Sequence, residues 1–324
     1  MFLMIFVACL VDLPEPDDSA ALDTGEAAQP VGACLAAGGS LVERAASEPW
    51  AAGLADLEVD ADGTIWALDE EGHLLRAEGG DPTTLTDLGA TGAAGGTLDE
   101  AGGLLLASAG GARYGEADAD PAGWSELSSY ISGPMAISPD GATVAYTFVA
   151  CGIDYGLIDT ATGRERQLDD VLPVGFEYLE DGGLVAVTLE GSQAGLRLYE
   201  DDETLSASWT FSGPASWHTE MAVLGSSVVL ATLGDGDQGT LERVDVSTGA
   251  QTSTTLPFDF PAAVAVDPQL SWALSAEGDL YASDGETGWD LGDWSTVQDL
   301  VAAPDGTWVA MAGTDGTLRV YGCE

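Results

Sequence analysis

Seven side chains in this sequence have the types needed to hold charge at one place: Asp56 with Glu58, Glu177, His218 with Glu220, and Gln298 with Asp299. Carboxylates and an imidazole are the donors a divalent cation takes, and a cation so held can polarise a substrate or activate water. Material for other chemistries is thin. The chain has two histidines, His73 and His218, and no Cys-x-x-Cys pair, His-x-x-x-His, Gly-x-Ser-x-Gly or phosphate-cradling loop. The zinc and Ser-His-Asp templates therefore lack their residues. Asp60-x-Asp62-Gly63 and Asp235-x-Asp237 are fragments of a calcium-loop pattern, but neither has the alternating ligand series and closing Glu. They read as hairpin turns. The expectation is no catalytic residue, no metal and no cofactor, with the scattered carboxylates as solvated groups lining a channel.

The elements that must position these residues repeat along the chain. An apolar residue followed by Ala recurs inside short β-like runs, at Trp66-Ala67, Leu106-Ala107, Val144-Ala145, Val185-Ala186, Leu230-Ala231, Trp272-Ala273 and Val309-Ala310. Successive alanines are 37 to 45 residues apart. A turn precedes the runs, most often Asp-Gly, as at Asp62-Gly63, Asp140-Gly141, Asp181-Gly182 and Asp305-Gly306. Both residues tolerate the positive φ of a tight hairpin. A Gly-x-Leu start to the next run appears at Gly72, Gly239, Gly278 and Gly316. Short strands joined by Gly turns at this period are the pattern of β-propeller blades, and no long amphipathic helix interrupts them. The fold expected is all-β: a single β-propeller of seven four-stranded blades, beginning near residues 54, 93, 134, 174, 215, 261 and 296. Small Ala on a strand makes sense where neighbouring blades pack face to face. Trp66 and Trp272, at equivalent repeat positions, are expected in that interblade core, whereas Trp217 is the candidate for an exposed contact.

The last repeat has three strands before the chain stops, so Ser40–Ala45 is expected to supply its outermost strand, antiparallel to Thr317–Tyr321, and close the ring. That places Cys34 beside Cys323. The expected disulfide is Cys34–Cys323, with Cys151 a free buried thiol.

Ile137-Ser138-Pro139-Asp140-Gly141-Ala142-Thr143-Val144-Ala145-Tyr146 resembles the SPDG repeat of the TolB-like propellers. Ile158-Asp159-Thr160-Ala161-Thr162-Gly163 and Val244-Asp245-Val246-Ser247-Thr248-Gly249 are similar to YVTN-type repeats, without the Tyr-Val-Thr-Asn quartet itself. These resemblances imply a WD40-like repeat fold and leave function open.

Charge and the N-terminus give an address. Eight basic residues, all Arg, stand against 55 Asp and Glu, a formal charge of −47. Such a surface repels phosphate, which excludes nucleic acid and disfavours anionic lipid. The apolar run 1–10 is too short to span a bilayer, and its end, Phe6-Val7-Ala8-Cys9, resembles the lipobox of bacterial lipoproteins. Residues 1–9 are read as a signal segment with lipidation at Cys9, residues 10–33, acidic and Pro-containing, as a disordered tether, and residues 34–324 as the propeller. The reading is a lipid-anchored, extracytoplasmic binding or scaffold module for a protein or carbohydrate partner in the cell envelope, touching membrane only through its anchor. Insertions at Ala117–Gly123 and Gly234–Gly239 are expected to shape its binding face. The alternative is a metal-assisted, lactonase-like hydrolase with its site in the central channel.

Overall fold

The computed structural model describes residues 29–324, apart from 61, 92, 94, 99–102, 109–110, 117–123, 129–134, 150–152, 169–171, 191–192, 201–203, 212–220, 234–237 and 260. Lipidation at Cys9, the free thiol at Cys151, and Trp217, His218 and Glu220 lie outside the described residues. The chain builds seven four-stranded antiparallel sheets. The first strand of each is innermost: Leu54–Val59, Gly95–Leu98, Met135–Ile137, Leu172–Tyr178, Met221–Leu224, Pro261–Val266 and Val297–Ala302. These seven touch one another from blade to blade round the whole ring. The result is a seven-bladed β-propeller.

Blade 7 takes its three inner strands, Val297–Ala302, Val309–Gly313 and Leu318–Cys323, from the C-terminus, and its outermost, Leu41–Ala46, from the N-terminal side. Leu41 lies opposite Cys323 and Ala46 opposite Arg319, with a bulge between Glu43 and Ala45. Ser40 and Glu324 extend the ladder by exchanging backbone hydrogen bonds at 3.0 and 3.1 Å. This closure lies one residue along from the expected pairing. It leaves no open sheet end at the seam.

A short helix, Val31–Ala36, precedes the closing strand and begins three residues inside the stretch assigned to the tether. Six residues cannot sustain a helix by propensity, and no side chain caps it. Packing holds it: Val31, Cys34 and Leu35 are buried against blades 6 and 7, and the Val31 N–H donates to the Gly306 carbonyl at 2.8 Å. Cys34 is disulfide-bonded to Cys323, with their Cα atoms 5.9 Å apart.

The hydrophobic core is divided among the blade interfaces. Seven clusters of buried side chains each draw on two neighbouring blades, so every interface has one. Ala67, Ala145, Ala186, Ala231, Ala273 and Ala310, the repeat alanines, are all buried, at no more than 2% exposure. Trp66 and Trp272 lie in these interfaces too, and each is held by an aspartate from the preceding turn. Trp66 Nε1 donates to Asp60 Oδ2 at 3.0 Å, and Trp272 Nε1 to Asp267 Oδ2 at 2.9 Å.

The Asp-Gly turns explain their own sequence. In blade 3, Ser138 Oγ donates to Asp140 Oδ1 at 2.7 Å, which also accepts the Ala142 N–H, while Ser138 Oγ accepts the Thr143 N–H. Gly141 stands at φ +67°, where a Cβ would be strained. Asp60-x-Asp62-Gly63 is used the same way: Thr64 N–H donates to Asp60 Oδ1 at 2.8 Å, and Thr64 Oγ1 to Asp62 Oδ1 at 2.9 Å. Asp235 and Asp237 lie outside the described residues.

Candidate functional site

Four of the sequence candidates, Asp56, Glu58, Glu177 and Asp299, are carried on innermost strands of blades 1, 4 and 7. Glu58 is 6% exposed and Glu177 2%, and Asp56 and Asp299 are partly buried. The expectation of a solvated lining is not met by Glu58 and Glu177, which are buried, whereas Asp56 and Asp299 keep partial exposure.

Asp299 belongs to the seam between blades 7 and 1. Its Oδ2 accepts the Leu57 N–H at 2.8 Å and its Oδ1 the Leu300 N–H at 2.8 Å. Next to it, Gln298 Nε2 donates to the Leu54 carbonyl. Both side chains therefore stitch the innermost strand of the last blade to that of the first. Asp56 and Asp299 are neighbouring carboxyl groups that act on one another electrostatically. Burial, then the charges of Asp299 and Glu58, hold Asp56 well above the ordinary carboxylate range. Burial pushes Asp299 up to about 7, against its two backbone donors.

Glu58 and Glu177 share a position in the repeat, which the sequence reading did not recognise. Glu58 lies opposite Trp66, and Glu177 opposite Val185, the residues that precede the repeat alanines Ala67 and Ala186. At the same register the other blades carry Gly96, Ile137, Met221, Ala265 and Ala302. Burial raises both glutamates, Glu58 further through Asp299 and Asp60, and Glu177 further through Glu58. Blades 1 and 4 are three steps apart round the ring, the farthest two of seven blades can be. A charge that reaches between them acts across the axis. Each glutamate also has a buried Oε1 with no hydrogen-bond partner. Among the described residues, no three His, Cys, Asp or Glu side chains are gathered as a preformed metal ligand set. His73 is away from the channel, on the third strand of blade 1, with Nδ1 3.2 Å from Asp87 Oδ2.

A second feature lies on the face that carries the turns between first and second strands and between third and fourth. Two clefts adjoin there. One, of 370 Å³, runs between blades 3 and 4 past Asp140, Arg166 and Tyr178. The other, of 510 Å³, runs between blades 4 and 5 past Leu198, Ser226 and Ser247. Glu180, Asp181, Tyr199 and Glu200 form the wall they share. Among the described residues no exposed aromatic patch accompanies them, and Leu205, at 42%, is the one large hydrophobic side chain that is exposed.

No protein-family model matches this chain, and no curated protein matches it. Solved structures do. The WD40 domain of Neurospora crassa Pan2 is similar over 87% of this chain and 95% of its own, with a TM-score of 0.61 at 12% identity. A chain of a mitotic checkpoint complex structure is similar over 96% of both, with a TM-score of 0.60 at 10% identity. The fold is a WD40-like β-propeller. At these identities the likeness of the propeller to its neighbours extends to architecture and no further.

Proposed function

We propose that this propeller is a lipid-anchored, extracytoplasmic binding or scaffold module for a protein or carbohydrate partner in the cell envelope. The observation that carries the reading is the pair of adjoining clefts across blades 3 to 5, open on one face of a rigid ring. A site that is largely pre-formed is what a binding module needs. The second similar structure is of a complex, which agrees with a role in assembly. The Cys34–Cys323 disulfide agrees with an oxidising compartment, outside the cytoplasm. Attachment rests on the Ala8-Cys9 motif, and kinship with TolB-like and YVTN-type repeats on the Ser138–Gly141 and Asp245–Gly249 turns. The insertions at 117–123 and 234–239 lie outside the described residues, apart from 238 and 239.

The alternative, a metal-assisted hydrolase in the channel, requires ligands gathered at one point, and among the described residues three are not. A capture experiment tests the binding reading. The anchored protein serves as bait in solubilised envelope, beside a Glu180→Arg/Glu200→Arg variant. We expect a stoichiometric partner that the variant loses. Equal capture by both proteins, or none by either, overturns the assignment of this face. Fractionation of wild type and Cys9→Ser tests the anchor: a Cys9→Ser protein that stays with the membrane overturns lipidation.

A further inference from the structure

We propose that the outer edge of blade 5, Ala250–Thr255, receives an extended, Lys- or Arg-bearing segment of a partner protein as a fifth strand. This edge contributes no residue to the lining of the clefts across blades 3 to 5 and needs nothing from them.

A sheet edge presents a row of unpaired backbone groups, and proteins blunt it with a charge, a bulge, brevity or a cover. Six of the seven outermost strands are blunted in this way. Those of blades 1, 2, 4, 6 and 7 each carry a bulge, with Leu88, Leu127, Ser206, Leu291 and Arg44 as the extra residues. Blade 3 ends on only three residues, Glu165–Gln167, two of them charged. Ala250–Thr255 has none of these protections. Its six residues pair with Thr240–Asp245 in unbroken register, without a charged side chain or a proline. Five of the six are exposed. The Leu256 N–H donates to the Gly239 carbonyl at 2.8 Å, and the alternation of the ladder from there turns the backbone groups of Gln251, Ser253 and Thr255 outward. Among the described residues, no turn or loop backbone reaches them.

Charge selects the occupant. Residues 221–293, which make blades 5 and 6, hold twelve Asp and Glu against one Arg. That residue, Arg243, is partly buried and donates to Ser227 Oγ at 3.1 Å. Asp284 and Glu286 are exposed on the adjacent turn of blade 6 and flank Gly285, where an added Cβ would stand 3.0 Å from Thr252 Oγ1. A second copy would bring its own charge of −47 to this edge, whereas a basic segment is attracted to it. Backbone hydrogen bonds to the outward groups supply affinity, and alternate Lys or Arg side chains meet the blade 6 carboxylates.

The probe is a short labelled peptide of alternating Lys and Thr. Its control is N-methylated at every peptide bond, which keeps the charge and removes the donors. Binding to the full chain is read by fluorescence anisotropy at about 0.15 M salt, which screens distant charges. Wild type should bind the parent peptide saturably and the methylated one at least about tenfold more weakly. Ser253→Pro and Thr255→Pro each replace an outward N–H with a ring and spare the ladder to Thr240–Asp245. Both should keep the fold and lose about tenfold or more in affinity. Glu180→Arg/Glu200→Arg should bind the peptide as wild type does. No binding by wild type, equal affinity for the two peptides, or affinity that neither proline variant lowers overturns the proposal. So does loss of binding in Glu180→Arg/Glu200→Arg, which would place the peptide in the clefts. A wild-type dimer in sedimentation that Ser253→Pro dissolves would give the edge to a second copy and overturn it too.

Discussion

Asp299 Oδ2 accepts the backbone N–H of Leu57 at 2.8 Å, joining residues 242 positions apart and binding the last blade of the ring to the first. Outer closure by Leu41–Ala46 and this inner contact secure the same blade at opposite edges. Removing the carboxyl should therefore cost more than removing only its charge. Asp299→Ala leaves the Leu57 and Leu300 N–H groups short of an acceptor and should cost about 1–3 kcal/mol in denaturant unfolding. Asp299→Asn keeps one acceptor oxygen for two N–H donors, so at pH 8 it should cost less than Asp299→Ala while staying below wild type. An alanine variant as stable as the asparagine one would remove the seam role.

Stability should depend on pH in two opposed ways. Asp56, Glu58, Glu177 and Asp299 are raised in the folded protein, Asp299 to about 7, chiefly by burial. The folded state then holds protons that the unfolded chain releases above about pH 4. Their contribution is fully present below the unfolded values and is lost as pH rises through the folded ones. Asp315, held near 2 chiefly by Arg319, and Asp245, near 2 through Ser247, act the other way. Their smaller, largely solvent-screened contribution is lost as pH falls toward 2. In chelator, denaturant unfolding should therefore give greatest stability in the weakly acidic range and a decline of a few kcal/mol toward pH 8. Asp299→Asn/Glu177→Gln should flatten that decline. A profile flat in both proteins would mean the axis is wetter than its burial implies.

The repeat was legible because each turn writes its own chemistry. Ser138, Asp140 and Gly141 each have a separate task in one hairpin, and that set recurs at a countable spacing. Trp66 and Trp272 were legible for the same reason. The axial pair was legible in principle: Glu58 and Glu177 each stand four residues before the Asp of an Asp-Gly turn. A chain with 55 acidic residues hides any two of them. That their charges meet across the axis is a consequence of ring closure, which no local pattern encodes. The burial of Glu58 and Glu177 was equally hidden, since an acidic residue on an inner strand reads as solvated until its neighbours are placed.

The disulfide should hold the two ends of the chain together even when the ring is loosened. Cys34 and Cys323 are 289 residues apart, and closing so long a loop stabilises by about 5 kcal/mol in the chain-entropy model. Both are buried, at 5% and 7% exposure, so reductant should act slowly until the helix Val31–Ala36 lifts from blades 6 and 7. Cys34→Ser should lower the melting temperature and admit protease first near residues 31–46. Non-reducing peptide mapping should recover one peptide pair containing Cys34 and Cys323. A Cys34–Cys151 pair would refute the arrangement of the seam.

The interblade alanines should tolerate added volume worst of all strand positions. Ala310 is fully buried where blade 7 meets blade 1, in one cluster with Leu54, Ile65 and Leu75. Three methylene-sized groups added there by Ala310→Leu have nowhere to go, because the facing blade is fixed in turn by its own neighbour. Overpacking of this kind costs about 1–3 kcal/mol. Ala250, exposed on the outermost strand of blade 5, has open space above it, and Ala250→Leu should change stability by no more than about 0.5 kcal/mol. Equal unfolding midpoints for the two variants would show that blades separate freely enough to absorb a leucine. A large loss confined to Ala310→Leu would show that the ring transmits local crowding, as rigid stacking of seven shared cores requires.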